Sequence, residues 1–263
     1  MLPLDGRGLL RALAALNLRL APVDPDAPSL ADRPKRLLAK LDRAGVGIVR
    51  SRPDARALAG FGFSPRTVID VGVHAGTPML YDAFPDAHFL CIDPVAECEA
   101  RLAPWRRKIS LEFHACALGA APGEMDLHLP RTEDRTAAAR ASLADFAPAY
   151  RDRFEGVETR RVPVTTLDAV ADGHPGPIGL KIDTEGFELE VIRGARETLR
   201  RTEFVIAEVS LRPRFAGGYR FSELVAEMGA AGFEPLAALT PLRPGATDCD
   251  LLFAPWDGQR FAL

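Results

Sequence analysis

Short apolar blocks alternate with stretches of helical spacing along most of this chain, and the alternation sets the expected elements. Thr67 to Val71 is brief, β-branched and mostly apolar, as a strand buried on both faces should be. Pro78 to Phe84 then reads as a helix stopped by Pro85, with Thr77 as its N-cap. The same pairing recurs: strand His88 to Ile92 with helix Val95 to Leu102, and strand Ile178 to Ile182 with helix Phe187 to Leu199. Strand Phe204 to Val209 precedes helix Phe221 to Ala231. Ile109 to His114, Phe233 to Leu239 and Asp250 to Ala254 are further strands. Gly123 to Leu129 and Glu158 to Val164 look extended and bracket an irregular stretch, Pro130 to Gly156. Alternating strands and helices predict an α/β fold, a doubly wound, mostly parallel sheet.

The first part of the chain lacks that alternation. Leu9 to Leu20 contains helical spacings interrupted by Arg11 and Arg19, and Lys35 to Arg43 is a second amphipathic helix beyond a proline-rich break. Residues 1–60 are therefore expected to form a helical appendage, and residues 61–263 the α/β domain. Such helices pad a core or make a homo-oligomer interface more often than they bind substrate. A length of 263 residues with 47% hydrophobic composition allows one sizeable core plus that appendage. The net charge of -3 argues against a nucleic-acid partner. No run is apolar enough to span a membrane, and Leu9 to Leu20 lacks a small-residue cleavage site. Cys91, Cys98, Cys116 and Cys249 show no metal-ligand spacing and read as reduced thiols. A cytoplasmic protein is expected.

The chemistry gathers at strand ends. Gly72 and Gly76 bracket the turn after the first strand, where ligands of doubly wound sheets bind. A dinucleotide fingerprint needs a third glycine where this chain has His74, and no Walker lysine is present. S-adenosylmethionine has no phosphates, and close approach at Gly72 and Gly76 is enough for it. Asp70 lies at the same strand end, facing the cofactor's amino-acid moiety. Asp93, ending the second strand, can accept the ribose hydroxyls.

A second group of acids follows in Leu180-Lys-Ile-Asp-Thr-Glu-Gly186. Asp183 and Glu185 leave one strand end and Glu208 the next. Three acids on one rim need a cation or a shared proton. They read as a base or a substrate-orienting set, with His74 as a further proton acceptor. Oxygen-rich sets also suit Mg2+, but nothing in this spacing demands a metal. The arginines of Pro130 to Gly156 (Arg131, Arg135, Arg140, Arg151 and Arg153) can read an anionic or polyhydroxylated acceptor, with the stretch as a mobile lid over it or, as the alternative, a solvated loop.

These residues resemble the FkbM family of S-adenosylmethionine-dependent methyltransferases. Val68-Ile-Asp-Val-Gly-Val-His-Ala-Gly76 is similar to that family's first motif, Ile92-Asp-Pro94 stands where it has Glu-Pro, and Ala117-Leu-Gly119 with Gly123-Glu124 matches a third segment. Ala141-Ser-Leu143, Val164-Thr-Thr-Leu-Asp168 and Leu180 to Gly186 complete an ordered set over roughly Arg66 to Val209. The resemblance implies a Rossmann-like seven-stranded sheet and O-methylation of a sugar, glycan or natural-product hydroxyl. By position it implies that Asp70, Gly72, His74 and Gly76 line the methionine and ribose side, that Asp93 holds the ribose, and that Cys116 and Ala117 lie near the adenine. Asp183 and Glu185 would act on the hydroxyl, with Glu208, Arg140 and Ser142 toward the acceptor. His74 replaces a common Asn, and Asp93 is one methylene shorter than the usual Glu. Two other classes remain: a cofactor-binding scaffold without turnover, and a dinucleotide oxidoreductase, against which the missing glycine argues.

Overall fold

The computed structural model describes residues 55–132, 135–240, 245–256 and 261. Both helices expected before residue 50 lie outside the described residues. The main sheet has seven strands in the order β10-β11-β9-β8-β1-β2-β3. These are β1 (Thr67–Val71), β2 (His88–Ile92), β3 (Ser110–His114), β8 (Ile178–Ile182), β9 (Thr202–Ser210), β10 (Phe233–Ala238) and β11 (Asp248–Pro255). β11 runs antiparallel to both neighbours, while β9, β8, β1, β2 and β3 are mutually parallel. Connections leave β1 toward β2 and β3 and later return to its other side at β8. The switch point therefore falls between β1 and β8, where a crevice opens beyond the strand ends.

Every residue of β1 and β8 is buried, because helices cover both faces. Ile69, Val71, Leu180 and Ile182 belong to one core, packed with Val191, Ile192 and Leu224. Val68, Phe89 and Phe204 belong to the opposite core, with Leu80 and Tyr81 of helix α2 (Pro78–Ala83). Leu58, on helix α1 (Ala55–Ala59), is completely buried in that second core, so the folded domain takes in part of the segment expected as appendage.

The structure refines two expectations about local structure and corrects two others. Thr77 holds the N-cap position of α2 with Pro78 following it, as expected, but its hydroxyl makes no capping bond and donates instead to Asp70 at 3.1 Å. The helix expected over Val95 to Leu102 is present as a 3-10 helix, Ala96–Leu102. The long helix expected over Phe187 to Leu199 is two short ones, α5 (Glu188–Arg193) and α6 (Arg196–Leu199). They part at Gly194, where a Cβ would lie 2.1 Å from the Gly119 carbonyl oxygen, so the helix must let that backbone in. Finally, the stretch expected to be irregular is mostly turns and short helices, but its two ends, and Arg135–Thr136 within it, join a second sheet, ordered β4-β7-β5-β6. Its strands β4 (Ala117–Leu118), β5 (Gly123–Thr132), β6 (Arg135–Thr136) and β7 (Gly156–Thr165) extend beyond the hairpin arms read from the sequence. Between them, helix α3 (Pro148–Arg151) and Phe146 pack aromatic rings onto Phe215, which follows β9. Helix α4 (Leu167–Val170) follows β7, and helix α7 (Phe221–Ala230) lies between β9 and β10 in the chain.

Candidate active site

Two turns meet at the switch point. The first runs from Gly72 to Gly76, and the second from Asp183 to Gly186. Among the described residues, His74 (φ 47°) and Glu185 (φ 52°) are the non-glycine residues with positive φ, one in each turn. Such backbone persists only where its surroundings hold it, and it gathers at functional sites.

At the first turn, Asp93 is the holder. One carboxylate oxygen accepts the His74 N–H at 2.8 Å, and the other accepts the Val95 N–H at 2.9 Å. Asp93 is only 5% exposed, and burial pushes its carboxyl upward against those two hydrogen bonds. The His74 ring meets the Arg101 guanidinium through Nε2. Burial and then Arg101 push His74 below the usual histidine range, so the ring is neutral near neutral pH and its outer nitrogen is engaged. Arg101 was not among the expected residues.

The glycines of this turn serve the protein's own packing. A Cβ on Gly72 would lie 1.8 Å from the Asp183 carbonyl oxygen, and one on Gly76 would lie 2.7 Å from the Trp105 ring nitrogen. The close approach expected for a ligand is thus made by backbone and indole of the same chain. Asp70 is also internal. It is fully buried, accepts hydrogen bonds from Tyr81 at 2.9 Å and Thr77 at 3.1 Å, and lies 3.7 Å from Lys181. Cys116 is half-buried beside the rim, and burial raises its thiol. Ala117 lies in the core beneath the second sheet, and its side chain is 4% exposed.

The second turn is built by Glu188, which is fully buried. Its Oε1 accepts the N–H groups of Thr184 and Gly186, each at 3.0 Å, and its Oε2 accepts the Tyr219 hydroxyl at 2.7 Å. Ser142 locks the same turn from the second sheet, donating its hydroxyl to the Glu185 carbonyl at 2.6 Å. Ser142 is 1% exposed, so it reaches the site as a brace rather than as an open hydroxyl. Arg140, two residues earlier, is exposed.

The acids come together as the sequence implies, and the missing cation is Arg214. Its guanidinium lies 2.8 Å from Glu185, 3.2 Å from Glu208 and 3.4 Å from Asp248. Lys181 serves the fourth acid, Asp183, at 3.0 Å. Lys181 also faces Asp70, so two cations meet five carboxylates and protons make up the difference. Burial raises Glu185 to about 7. Burial, with Asp183 and Glu185 adding to it, raises Glu208 to about 10, so it is protonated at neutral pH. Asp183 is the most open of the three predicted acids, with 33% of its side chain exposed against 15% for Glu185 and 19% for Glu208.

Beside this cluster is a cavity of about 320 Å3, lined by Gly186, Ser210, Arg214, Phe215 and Tyr219 among others. The buried Nε of Arg214 makes no hydrogen bond. Arg214 carried no motif signal; the demand for a cation among three acids was the one pointer to it.

A seven-stranded sheet in this order, with acids at the switch point, defines a Rossmann-like methyltransferase fold. The chain belongs to the FkbM methyltransferase family, whose methyltransferase FkbM domain matches residues 70–235. No curated protein matches it. Solved structures similar to this chain are low in identity. Methyltransferase FkbM from Methylobacillus flagellatus is 16% identical with a TM-score of 0.45, over 72% of this chain and 43% of its own length. The chain thus spans less than half of that protein. A TehB-like SAM-dependent methyltransferase from Corynebacterium glutamicum is 12% identical with a TM-score of 0.40, over 87% of this chain and all (100%) of its own. A Burkholderia thailandensis 1,6-didemethyltoxoflavin-N1-methyltransferase is 13% identical with a TM-score of 0.40, over 90% of this chain and 95% of its own. Among the described residues, no helix is long and apolar enough to cross a membrane.

Proposed function

We propose that this chain transfers a methyl group from S-adenosylmethionine to a hydroxyl of a small polyhydroxylated molecule or glycan. The observation that carries the proposal is the acid cluster at the switch point, one member of which is half-open and another raised to about 7. Asp93, Asp183 and the half-buried edge formed by Gly72, His74 and Cys116 suit a cofactor with a cationic methionine end and an uncharged ribose. An anionic pyrophosphate would meet carboxylates there instead of free N–H groups. The Asp93 carboxylate accepts two backbone N–H groups and the Cys98 thiol, which leaves lone-pair capacity for a ribose hydroxyl. When bound, the cofactor supplies an electrophilic methyl on sulfur.

This chain's own residues would orient the hydroxyl and take its proton. Asp183 is the base in this reading, because it is open and next to the first turn. Its carboxylate would accept the proton as the hydroxyl oxygen is methylated. Lys181, at 3.0 Å, fixes its direction. Glu185 is tied to Arg214 and orients, and Glu208, carrying a proton, can donate a hydrogen bond to an acceptor oxygen. The cavity at Arg214 is of a size for a sugar-like ring. Arg140 would lie toward the outer end of the acceptor. Nothing in this reading calls for Mg2+, since Arg214 and Lys181 already supply the positive charge.

The test is to incubate the protein with methyl-labelled cofactor and a panel of hydroxylated sugars, glycans and natural products, then locate the label by mass spectrometry and NMR. A methyl ether is the expected product. Label on nitrogen would overturn the oxygen assignment. Cofactor binding without transfer to any acceptor would favour a scaffold.

A further inference from the structure

Strand β3 is the free edge of the main sheet's parallel half, and its residues Ser110, Glu112 and His114 alternate, so all three project from one face. Register places His88 of β2 opposite Ser110. The loop before β8 brings His174 over the same face, with its ring parallel to that of His88, 5.8 Å between centroids and 7° between planes. The three imidazoles converge on one atom. From Glu112 Oε1, the Nε2 of His174 lies at 3.3 Å, that of His88 at 3.4 Å and that of His114 at 3.7 Å.

These separations are long for hydrogen bonds, which cluster nearer 2.7–3.2 Å. They suit neighbouring ligands on one ion: tetrahedral bonds of about 2.0–2.2 Å put ligand atoms about 3.3–3.6 Å apart. Ligand atoms of His88, Glu112 and His174 all fall within 4.8 Å of one another. His88 Nδ1 lies 2.8 Å from Ser110 Oγ. With Nδ1 donating there, the lone pair of His88 sits on Nε2, toward Glu112, which is how outer partners aim metal-binding histidines. The His174 backbone is held at both ends, its N–H donating to Ala171 at 3.2 Å and its carbonyl accepting from Arg201 at 2.7 Å. The Arg201 guanidinium is thereby committed to the His174 and Ala171 carbonyls. The buried His114 Nε2 makes no hydrogen bond and borders the set.

We infer that His88, Glu112 and His174 form a divalent transition-metal site, best fitted by zinc, which pins the loop before β8 to edge strand β3. Two imidazoles and one carboxylate are a zinc-type set, whereas Mg2+ and Ca2+ prefer oxygen throughout. His88 lies five residues along β2 from Asp93, about 17 Å at strand rise. The site is thus separate from the acid rim and does not depend on the proposed methyl transfer.

Cobalt(II) reports such sites by its visible absorption. The full chain, without a histidine tag and stripped with a chelator, should take up one equivalent of cobalt with the intense bands of tetrahedral coordination. Zinc should displace it and raise the melting temperature. Glu112→Gln and His174→Ala should each abolish the bands and weaken zinc binding more than about a hundredfold, since losing even an outer partner costs about 10–100-fold. Ser110→Ala should keep the bands with zinc about tenfold weaker. Circular dichroism establishes that each variant is folded; the substituted side chains are partly exposed, so folding should survive. No stoichiometric uptake by the folded wild type would overturn the inference. So would uptake that survives both substitutions and is lost in Asp183→Asn, which would place the metal at the rim.

Discussion

Asp183 and Glu185 are two residues apart in sequence, yet the structure gives them different surroundings. Asp183 faces partly outward and pairs with Lys181, whereas Glu185 is constrained in three ways, by burial, by positive φ and by Arg214. A hydroxyl is a poor nucleophile near neutral pH, and a positioned base contributes about a hundred- to ten-thousandfold. Asp183→Asn keeps the shape and removes the basicity. Turnover should fall by about that factor, while S-adenosylmethionine affinity measured by calorimetry stays nearly constant. Glu185→Gln should cost less, because an amide oxygen still accepts from Arg214 and from a substrate hydroxyl. Full turnover in folded Asp183→Asn would move the base elsewhere. His74 is a poor second choice, since its ring is neutral but its Nε2 is taken by Arg101.

At the level of elements, the site depends on how closely the turns after β1 and β8 approach. The Asp183 N–H donates to the Val71 carbonyl at 3.1 Å, and its own carbonyl fills the space a Cβ on Gly72 would occupy. Gly72 also has φ 75°, which a side chain rarely adopts. Gly72→Ala must therefore separate the two strand ends or change the turn. Overpacking of this kind typically costs about 1–3 kcal/mol, and the backbone conformation adds about 1 kcal/mol more. Thermal denaturation should show a clear fall in melting temperature, with weakened cofactor binding in whatever stays folded. A variant as stable as wild type would mean that the turn relaxes freely.

Across the whole molecule, buried carboxylates at the rim couple stability to pH. Burial keeps Glu185 and Glu208 protonated in the folded protein up to about 7 and about 10, while in the unfolded chain both ionise near the ordinary 4.5 of a glutamate. Between those limits the folded state binds more protons than the unfolded one, so this pair makes stability fall as pH rises. The loss begins near the unfolded value and continues for Glu208 through the alkaline range. Glu208→Gln carries a permanent neutral group and should flatten that slope, with its largest gain over wild type above pH 7. Melting temperatures of the two proteins across pH 5 to 9 check this. Parallel profiles would mean that Glu208 is ionised in the folded state.

Strand positions and the switch-point residues were legible in the chain because apolar period and turn chemistry act locally. β1, β2 and β8 fall where the blocks of β-branched residues predict them, with the ends read from sequence. Asp183, Glu185 and Glu208 were also readable as acids that must share a rim, since parallel strands deliver their carboxyl ends to one edge. Their partner was not readable. Arg214 reaches them through a loop whose path is set by Phe215 packing on Gly186 and on Phe146, a contact between distant segments. The same holds for the glycine turn: the spacing of Gly72 and Gly76 is visible in the chain, but only the folded backbone decides that Asp183 and Trp105 occupy the space they leave. His88, Glu112 and His174 belong to three separate elements and converge only when the sheet has formed. Local preference determines what each segment becomes, whereas charge balance and close packing depend on which segments the fold brings within a few ångströms.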